Sequence, residues 1–518
     1  MPEVGRLRYS LTLRAHPHRF APRGLGGAVG VSGLSLKTPN FLARAAHCAV
    51  ARRVAPLRTF GSKPLRKLTF AAGFAAAFLI QALPGSTSAW AQGISLLRDT
   101  ETEEMLRSYE TPLARAAGLD PVPRVWLVGG NEINAFVTYG DPGENMFIFS
   151  GIILSMKTPN ELIGVMAHET AHISAGHLSR GMYAMKKATI PMLLSLVAGI
   201  GAMIAGAGEA GMAIMGVGQA YAAGQMAAFT RVQESTADQI AAKLLLATHQ
   251  SPMGMYRTFQ RFASEQAMSA YKIDKFAVTH PTGQDRVFDL NMAVESSPYR
   301  EVKDSPEVMH TFQMVQAKLA GFVLPVKDAL TRYPESDTSA PARYAHAMVY
   351  MRQPNFQKAM TAVSSLIAEE PNNPYFYEAR GQIYVSMAKP ALAIADYQKS
   401  VTLRPRAPQL RVALATAQLA TEDPALAPAA LQNLKAASLA EADDPFTWYQ
   451  TARAYSALNN EPMANLATAE LWYNAGDMKK ALIFSTRARG KLSQGGADWQ
   501  RASDIIGAAG PLAAQQRR

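Results

Sequence analysis

The sequence predicts a mainly α-helical fold, in which a helical domain with a small β-sheet is followed by an α-solenoid of repeated helix pairs. Three observations lead to this prediction. A His-Glu-x-x-His motif at residues 168–172 lies in an apolar run of helical character, and short strand-like runs precede it. After residue 300, prolines and aromatic residues recur with a period of 34 residues. The chain has 518 residues, enough for two or three domains.

Residues 1–91 carry the whole charge imbalance of the chain. They hold 13 Lys and Arg and one acidic residue. The whole chain has 52 basic and 40 acidic residues, so residues 92–518 contain 39 of each. Residues 63–91 predict a secretory signal peptide, because a basic start and the apolar run Leu68–Leu83 precede a small-x-small cleavage signal at Ala89-Trp90-Ala91. An uncleaved membrane anchor is the alternative.

Residues 1–62 form a basic, glycine-rich extension that resembles neither a domain nor an ordinary signal-peptide start. We hypothesise that translation begins later, near Val54, and a mitochondrial-type transit peptide is the alternative. The single cysteine, Cys48, lies in this extension, so the exported chain is expected to contain no disulfide and no thiol nucleophile. The neutral balance beyond residue 91 argues against nucleic-acid binding, and the signal peptide predicts a periplasmic location.

After the signal peptide, the chain is expected to form a helix and then a small sheet. Residues 98–118 have helical periodicity and end before Pro121. Arg124–Val128 predicts a strand, and the strand-like runs on either side of Gly140-Asp141-Pro142-Gly143 predict a hairpin.

The next predicted helix carries the chemistry. His168 and His172 are four residues apart, so they lie on one helix face and can bind one zinc ion. Glu169 can act as general base toward a zinc-bound water. A tetrahedral site needs a third protein ligand, for which Glu234 is the candidate. Asp238, one turn later on its helix, is expected to accept a hydrogen bond from a ligand imidazole.

These residues resemble the gluzincin metallopeptidases, in the group that holds the heat-shock protease HtpX and the prenyl-protein proteases. The resemblance is carried by the His168–His172 motif and by Glu234-x-x-Ala237-Asp238, and also by Asn134-Ala135-Phe136, Thr279-His280-Pro281 and Arg286. It implies a zincin-type protease domain over residues 92–300, one zinc ion per chain and endopeptidase activity on protein substrates.

The same resemblance suggests roles for the outlying residues. It places His280 near the metal, where it either stabilises the tetrahedral oxyanion or occupies the open zinc position and keeps the enzyme latent. Arg286 is a candidate for binding a substrate carboxylate or for a structural ion pair. Asn134, Ala135 and Phe136 are the candidate sheet edge that pairs with an extended substrate, with a plain structural strand as the alternative.

Two further segments have open interpretations. His177 would be rotated about 140° from His172 on a continuing helix, so we interpret it as structural or as lying behind the ligands. Residues 188–229 predict an apolar helical hairpin between the zinc helix and Glu234. This hairpin is interpreted as core or active-site cover, as a peripheral membrane or partner contact, or as a transmembrane pair.

Residues 301–492 predict tetratricopeptide-like repeats, since Pro371 and Pro405 are 34 residues apart with aromatic and small residues at consensus positions between them. Residues 493–518 are expected to form a C-terminal helix and tail. By the resemblance, the repeats recruit misassembled or stalled proteins, including outer-membrane β-barrel precursors and their assembly machinery. A chaperone or adaptor that uses the repeats, with a latent protease site, is the competing hypothesis.

Overall fold

The computed structural model of the chain describes residues 9–10, 95–140, 143–181, 194–195, 198, 208–268, 280 and 283–515. Apart from residues 9–10, the predicted extension and signal peptide lie outside these ranges. So does most of the first half of the predicted apolar hairpin, as do Thr279 and Pro281 on either side of His280.

A small mixed sheet lies in the first domain. Its strands follow the order β1-β2-β3-β5-β4. In chain order they are β1 (Tyr9–Ser10), β2 (Ser95–Leu97), β3 (Arg124–Val128), β4 (Ala135–Gly140) and β5 (Gly143–Phe149). Strands β3 and β5 are parallel, and the other neighbours are antiparallel. The structure confirms the predicted strand and hairpin and places β4 at an edge of the sheet.

Helices pack around this sheet and make up the rest of the first domain. Those described are α1 (Thr100–Ala116), α2 (Ser150–Ser155), α3 (Pro159–Ser174), α4 (Gly208–Ala247), α5 (Met253–Met268) and α6 (Gln284–Ser296). Their buried apolar side chains form one continuous core together with the strands.

Helix α3, which carries the His-Glu-x-x-His motif, is fixed at both its start and its middle. The Thr158 side chain caps the helix by accepting a hydrogen bond from the backbone N–H of Glu161, and Pro159 follows in the first turn. Gly164 lies so close to α5 that a Cβ there would be 2.7 Å from the backbone of Met255. This close approach holds the motif helix at the centre of the core.

Helix α4 differs from the sequence prediction of separate helices. The apolar second half of the predicted hairpin and the segment with Glu234 form one continuous helix of 40 residues. No proline interrupts it, and isolated glycines such as Gly216 and Gly224 lower helix stability by only about 1 kcal/mol each. Several apolar side chains near its start are exposed, among them Met212, Val217 and Tyr221.

The second part of the chain is a succession of helices, which confirms the predicted helical solenoid. They are α7 (Pro306–Val323), α8 (Val326–Arg332), α9 (Ala340–Arg352), α10 (Phe356–Glu369), α11 (Pro374–Ser386), α12 (Pro390–Leu403), α13 (Pro408–Ala420), a 3-10 turn (Pro424–Leu426), α14 (Ala427–Ala440), α15 (Pro445–Ala457), α16 (Glu461–Asn474), α17 (Met478–Arg489) and α18 (Ala497–Gln515).

The helix pairs repeat with the period that the sequence indicates. Helices α9, α11 and α13 begin at Ala340, Pro374 and Pro408, which are successive steps of 34 residues. Gly381 packs directly under Tyr397, the kind of small-on-aromatic contact expected where paired helices cross. The next pair begins at Pro445, three residues late, because a 3-10 turn intervenes after α13.

The start of α1 lies against these repeats through a set of partly buried polar contacts, which we call the clasp. Arg98 binds Glu441 at 2.5 Å, and Thr100 donates to Gln409 at 2.9 Å. Lys318 binds Asp99. Helix α7 also contributes side chains to the cores of both parts, so the first domain and the helical solenoid share one helix.

Among the helices in the described ranges, none combines the length and the apolar character needed to cross a lipid bilayer.

Candidate metal centre

Four buried side chains from three places in the chain converge beside α3. His168 and His172 come from the motif, Glu234 from α4, and His280 from the segment before α6, and one ligand atom from each lies within 4.8 Å of the others. The structure therefore brings together the three candidate ligands and the candidate histidine that the sequence singles out.

The spacing of the donor atoms fits a single metal ion. The Nε2 atoms of His168 and His172 are 3.0 Å apart. Glu234 places Oε2 3.2 Å from His168 Nε2 and Oε1 3.5 Å from His172 Nε2. Donors bound at 2.0–2.1 Å to a tetrahedral ion are about 3.3 Å from one another. Two imidazole nitrogens and a carboxylate at this separation are thus suited to hold such an ion.

His280 approaches the ligands on one side and Glu169 on the other. Its Nδ1 lies 3.2 Å from Glu234 Oε1 and 3.3 Å from His168 Nε2. Its Nε2 lies 3.3 Å from Glu169 Oε1. The imidazole is only 7% exposed, so it fills the space beside the ligand atoms.

Carboxylate and guanidinium groups lie behind His168. Asp238 Oδ1 is 3.0 Å from His168 Nδ1, on the ring edge that faces away from the other ligands. Arg286 holds Asp238 with two hydrogen bonds, of 2.6 Å from Nε and 2.9 Å from Nη2, and its Nη1 lies 3.0 Å from Glu234 Oε2. Arg286 is buried and engaged with both carboxylates, an arrangement that fits the structural ion pair rather than a free substrate anchor.

His177 contacts His172, although a continuing helix would have turned it away. Helix α3 ends at Ser174, and Gly176 has a φ of +65°, which favours glycine. The reversal brings His177 Nδ1 to 3.0 Å from His172 Nδ1. This position agrees with the interpretation that His177 lies behind the candidate ligands, and the condition of a continuing helix is not met because α3 ends at Ser174. Gly176 was the signal for the reversal.

The charges of the cluster favour a bound cation. Burial lowers the pKa of His168, but hydrogen bonds to Asp238 and Glu234 raise it to about 9. Burial raises the pKa of Glu234, yet His168 and His280 bring it well below its usual range. Burial and the charge of His168 lower the pKa of His172 well below the ordinary value. The carboxylates that stabilise a proton on His168 would also stabilise a metal ion beside it, and the unprotonated His172 is free to act as a ligand.

Glu169 is fully buried beside this cluster, with none of its side chain exposed. Burial raises its pKa, and the opposing influences of His280 and His168 only partly offset that effect. A raised pKa makes the carboxylate a stronger base, which suits a group that takes a proton and later returns it.

Sequence reasoning missed a second buried carboxylate behind the motif helix. Glu110, on α1, has both carboxyl oxygens 2.9 Å from Thr170 Oγ1, and none of its side chain is exposed. Burial raises its pKa to about 8, with a smaller contribution from the charge of Glu169. No local pattern connects residues 60 positions apart, so this contact could not be found from the sequence.

We expect Glu110→Gln to stabilise the protein increasingly as the pH rises from about 5 to 8. The folded-state pKa of Glu110 lies above the ordinary 4.5. The free energy of unfolding of the wild type therefore falls as the pH rises through that interval, because the unfolded state releases this proton first. A neutral amide does not titrate, and the gain should reach about 4 kcal/mol at pH 8. Urea unfolding across this pH range measures it. The exposed Glu422→Gln is the control, and equal pH slopes for wild type and Glu110→Gln would contradict the prediction.

The predicted substrate edge lies beside the motif helix. Asn134 directly precedes β4, and Ala135 and Phe136 are its first residues. Strand β4 packs against α3 and has β5 as its sheet neighbour on one side. The Asn134 side chain is buried, and Phe136 stacks on Phe147 of β5 at 4.9 Å between ring centroids.

Known proteins match both parts of the chain. Residues 100–294 match the profile of peptidase family M48. The beta-barrel assembly-enhancing protease of Yersinia pestis is 26% identical over 373 residues, covering 71% of this chain and 75% of that protein. Its Escherichia coli (strain K12) counterpart is 25% identical over 410 residues, covering 77% and 81%. A protease HtpX homolog of Bacillus licheniformis is 31% identical over 111 residues, 20% of this chain and 37% of that protein.

Proposed function

We propose that this metallopeptidase, whose residues 100–294 match peptidase family M48, is a zinc-dependent endopeptidase of the bacterial cell envelope. It degrades misfolded or stalled proteins and aids the assembly of outer-membrane proteins. The observation that carries the proposal is the convergence of two imidazoles and a carboxylate beside the fully buried Glu169. Relatives named for β-barrel assembly, which align over most of the chain, support the biological setting.

His168, His172 and Glu234 would hold the ion. Two imidazoles and one carboxylate are a ligand set typical of catalytic zinc, which is why zinc is proposed over other divalent metals. When bound, the ion supplies Lewis-acid polarisation of the scissile carbonyl and lowers the pKa of water at the site.

Glu169 is the proposed general base. It takes a proton from the attacking water onto its carboxylate and then returns that proton to the leaving amine. Asp238 fixes the ring orientation and tautomer of His168 by accepting from Nδ1, and Arg286 holds Asp238 in place.

The edge strand β4 is the proposed binding site for the substrate backbone. An extended peptide added beside a sheet edge is held by main-chain hydrogen bonds, so this mode accepts many sequences. Such tolerance suits a protease whose substrates share an unfolded state and not a cleavage sequence. Asn134, Ala135 and Phe136 begin this edge next to α3.

His280 is proposed to occupy the open ligand position, because its Nδ1 already lies within the donor cluster. We expect His280→Ala to weaken metal binding and to raise basal casein cleavage. If His280 instead stabilises the oxyanion, cleavage falls by about 100-fold or more with metal affinity unchanged. Activity assays and chelator competition separate the two outcomes, with the exposed His310→Ala as control. Both roles fail if neither quantity changes.

The proposed location is the periplasm, reached through the signal peptide at residues 63–91. The repeats at residues 301–492 are proposed to be tetratricopeptide repeats that recruit β-barrel precursors and their assembly machinery. The exposed apolar start of α4, with Met212 and Val217, is the proposed peripheral contact with a membrane or partner.

The test of this function uses the full-length purified protein and one outer-membrane β-barrel protein in two forms, unfolded and folded in detergent micelles. We expect cleavage of the unfolded form only, loss of cleavage with a chelator and recovery with zinc. Cleavage of casein but of neither barrel form would contradict the proposed substrates. Absence of stoichiometric metal would contradict the enzyme itself.

The alternative is a chaperone or adaptor with a latent protease site. The burial of the centre favours it, since Glu169 is inaccessible and His280 lies among the ligands. A strain lacking the protein would then regain normal outer-membrane assembly with the Glu169→Gln form as well as with the wild type. Restoration by the wild type alone supports the protease.

A further inference from the structure

His177 is held firmly beside the second motif histidine. Its imidazole is buried, at 5% exposure, and its backbone carbonyl accepts a hydrogen bond of 3.0 Å from Gln233 Nε2. Gln233 directly precedes Glu234 on α4. The residue is therefore fixed both to the end of the motif helix and to the helix that supplies the carboxylate ligand.

The contact between His177 and His172 has a defined chemistry. Two neutral imidazole nitrogens 3.0 Å apart can share a hydrogen bond only if one donates and the other accepts. His172 must keep Nε2 unprotonated to bind a metal ion, so its Nδ1 carries the proton and donates. His177 Nδ1 is then the acceptor, and the proton of His177 lies on Nε2.

The two ligand histidines are thus supported by different groups. His168 has the carboxylate of Asp238 behind its Nδ1, at 3.0 Å. His172 has the imidazole of His177 in the equivalent place. The ring partner of a ligating histidine sets its tautomer and orientation, and loss of such a partner typically lowers metal affinity 10- to 100-fold.

We propose that His177 is a positioning residue that holds His172 in the tautomer and ring orientation required for metal binding through Nε2. The proposal rests on the metallopeptidase function given above. It adds a residue outside the His-Glu-x-x-His motif to the metal centre. It also explains the reversal at Gly176, without which the ring would point away from His172.

The test compares two substitutions of similar size in the full-length protein. His177→Leu removes the acceptor, whereas His177→Asn keeps an acceptor oxygen near the position of Nδ1. We expect the leucine variant to bind zinc 10- to 100-fold more weakly, and the asparagine variant to stay within about 3-fold of the wild type. Zinc dissociation constants come from competition with a chromophoric chelator. His310→Leu, at an exposed histidine outside the site, is the control.

Kinetics give the second readout. With saturating zinc, His177→Leu should lower kcat more than it raises KM, because the ligand and not the substrate edge is disturbed. If the leucine variant folds poorly, His177→Ala removes the acceptor without added bulk and is judged by the same criteria. Wild-type zinc affinity in the folded leucine or alanine variant overturns the proposal. Equal losses in the leucine and asparagine variants also overturn it, since packing alone would then explain them.

The outcomes separate this inference from the proposed function. If the wild type binds zinc and cleaves casein while His177→Leu behaves like the wild type, only the role of His177 fails. If the wild type itself binds no stoichiometric zinc, the metallopeptidase function fails and the inference fails with it.

Discussion

Glu169→Gln is expected to abolish cleavage while the protein keeps its fold and its metal. The amide has nearly the same shape as the carboxyl but cannot accept the proton of the attacking water. General-base catalysis contributes about 100- to 10,000-fold, so kcat should fall by at least that range. Glu169 is not one of the converging metal-binding side chains, and zinc affinity should therefore stay near the wild-type value.

The measurement is zinc content by mass spectrometry together with casein cleavage, for wild type and variant side by side. Glu301→Gln, at an exposed carboxyl in an ion pair with Arg300, is the matched control and should behave as wild type. Full cleavage by Glu169→Gln would refute the general-base assignment. Loss of zinc from that variant would show that Glu169 acts as a ligand. Zinc in both without cleavage in either would indicate a latent site, with His280 the next residue to change.

Lys318→Ala is expected to be the most destabilising single change in the clasp, at about 3–5 kcal/mol, because it leaves buried carboxylates without their cation. Lys318 binds Asp99 and lies 3.4 Å from both Glu101 and Glu378. Burial raises the pKa of Glu101 to about 7, even with Lys318 opposing that rise. Without the lysine, Glu101 and Glu378 should be protonated more readily, so the loss of stability should be larger at pH 8 than at pH 6.

Thermal and urea unfolding at the two pH values measure this loss. Lys358→Ala is the matched control, because Lys358 pairs with Glu335 at 3.5 Å and both side chains are more than half exposed. An exposed pair of this kind contributes about 0–1 kcal/mol. A change no larger for Lys318→Ala than for Lys358→Ala would show that the clasp does not stabilise the chain.

The parts of the structure that follow from local rules could be predicted from the sequence. His168 and His172 are neighbours because the helix repeat places them together, and the strand at Arg124–Val128 follows from its apolar pattern and the glycines after it. The starts of α9, α11 and α13 follow from the 34-residue spacing. Glu234 was predicted as a ligand because a tetrahedral site needs a third protein ligand. That argument is a chemical rule and not a folding rule.

The parts that depend on long-range packing could not be predicted. The continuity of α4 could not be derived locally, because no sequence signal fixes whether the apolar run and the segment with Glu234 join in one helix. The contact between Glu110 and Thr170 joins two helices whose register no local signal defines. The clasp is the clearest case, because Arg98 and Glu441 carry charges like many others on either segment and nothing in either segment identifies the partner.

The clasp has a consequence for the order in which the protein matures. Arg98 and Glu441 are separated by 343 residues, so when the chain emerges from its amino end the partner of Arg98 arrives only after most of the chain has passed. Thr100 likewise waits for Gln409. During that interval the segments of the candidate metal centre have emerged while the start of α1 has no docking surface. Completion of the protease region is therefore postponed until nearly the whole chain is available, a built-in delay between making the proteolytic machinery and finishing its assembly.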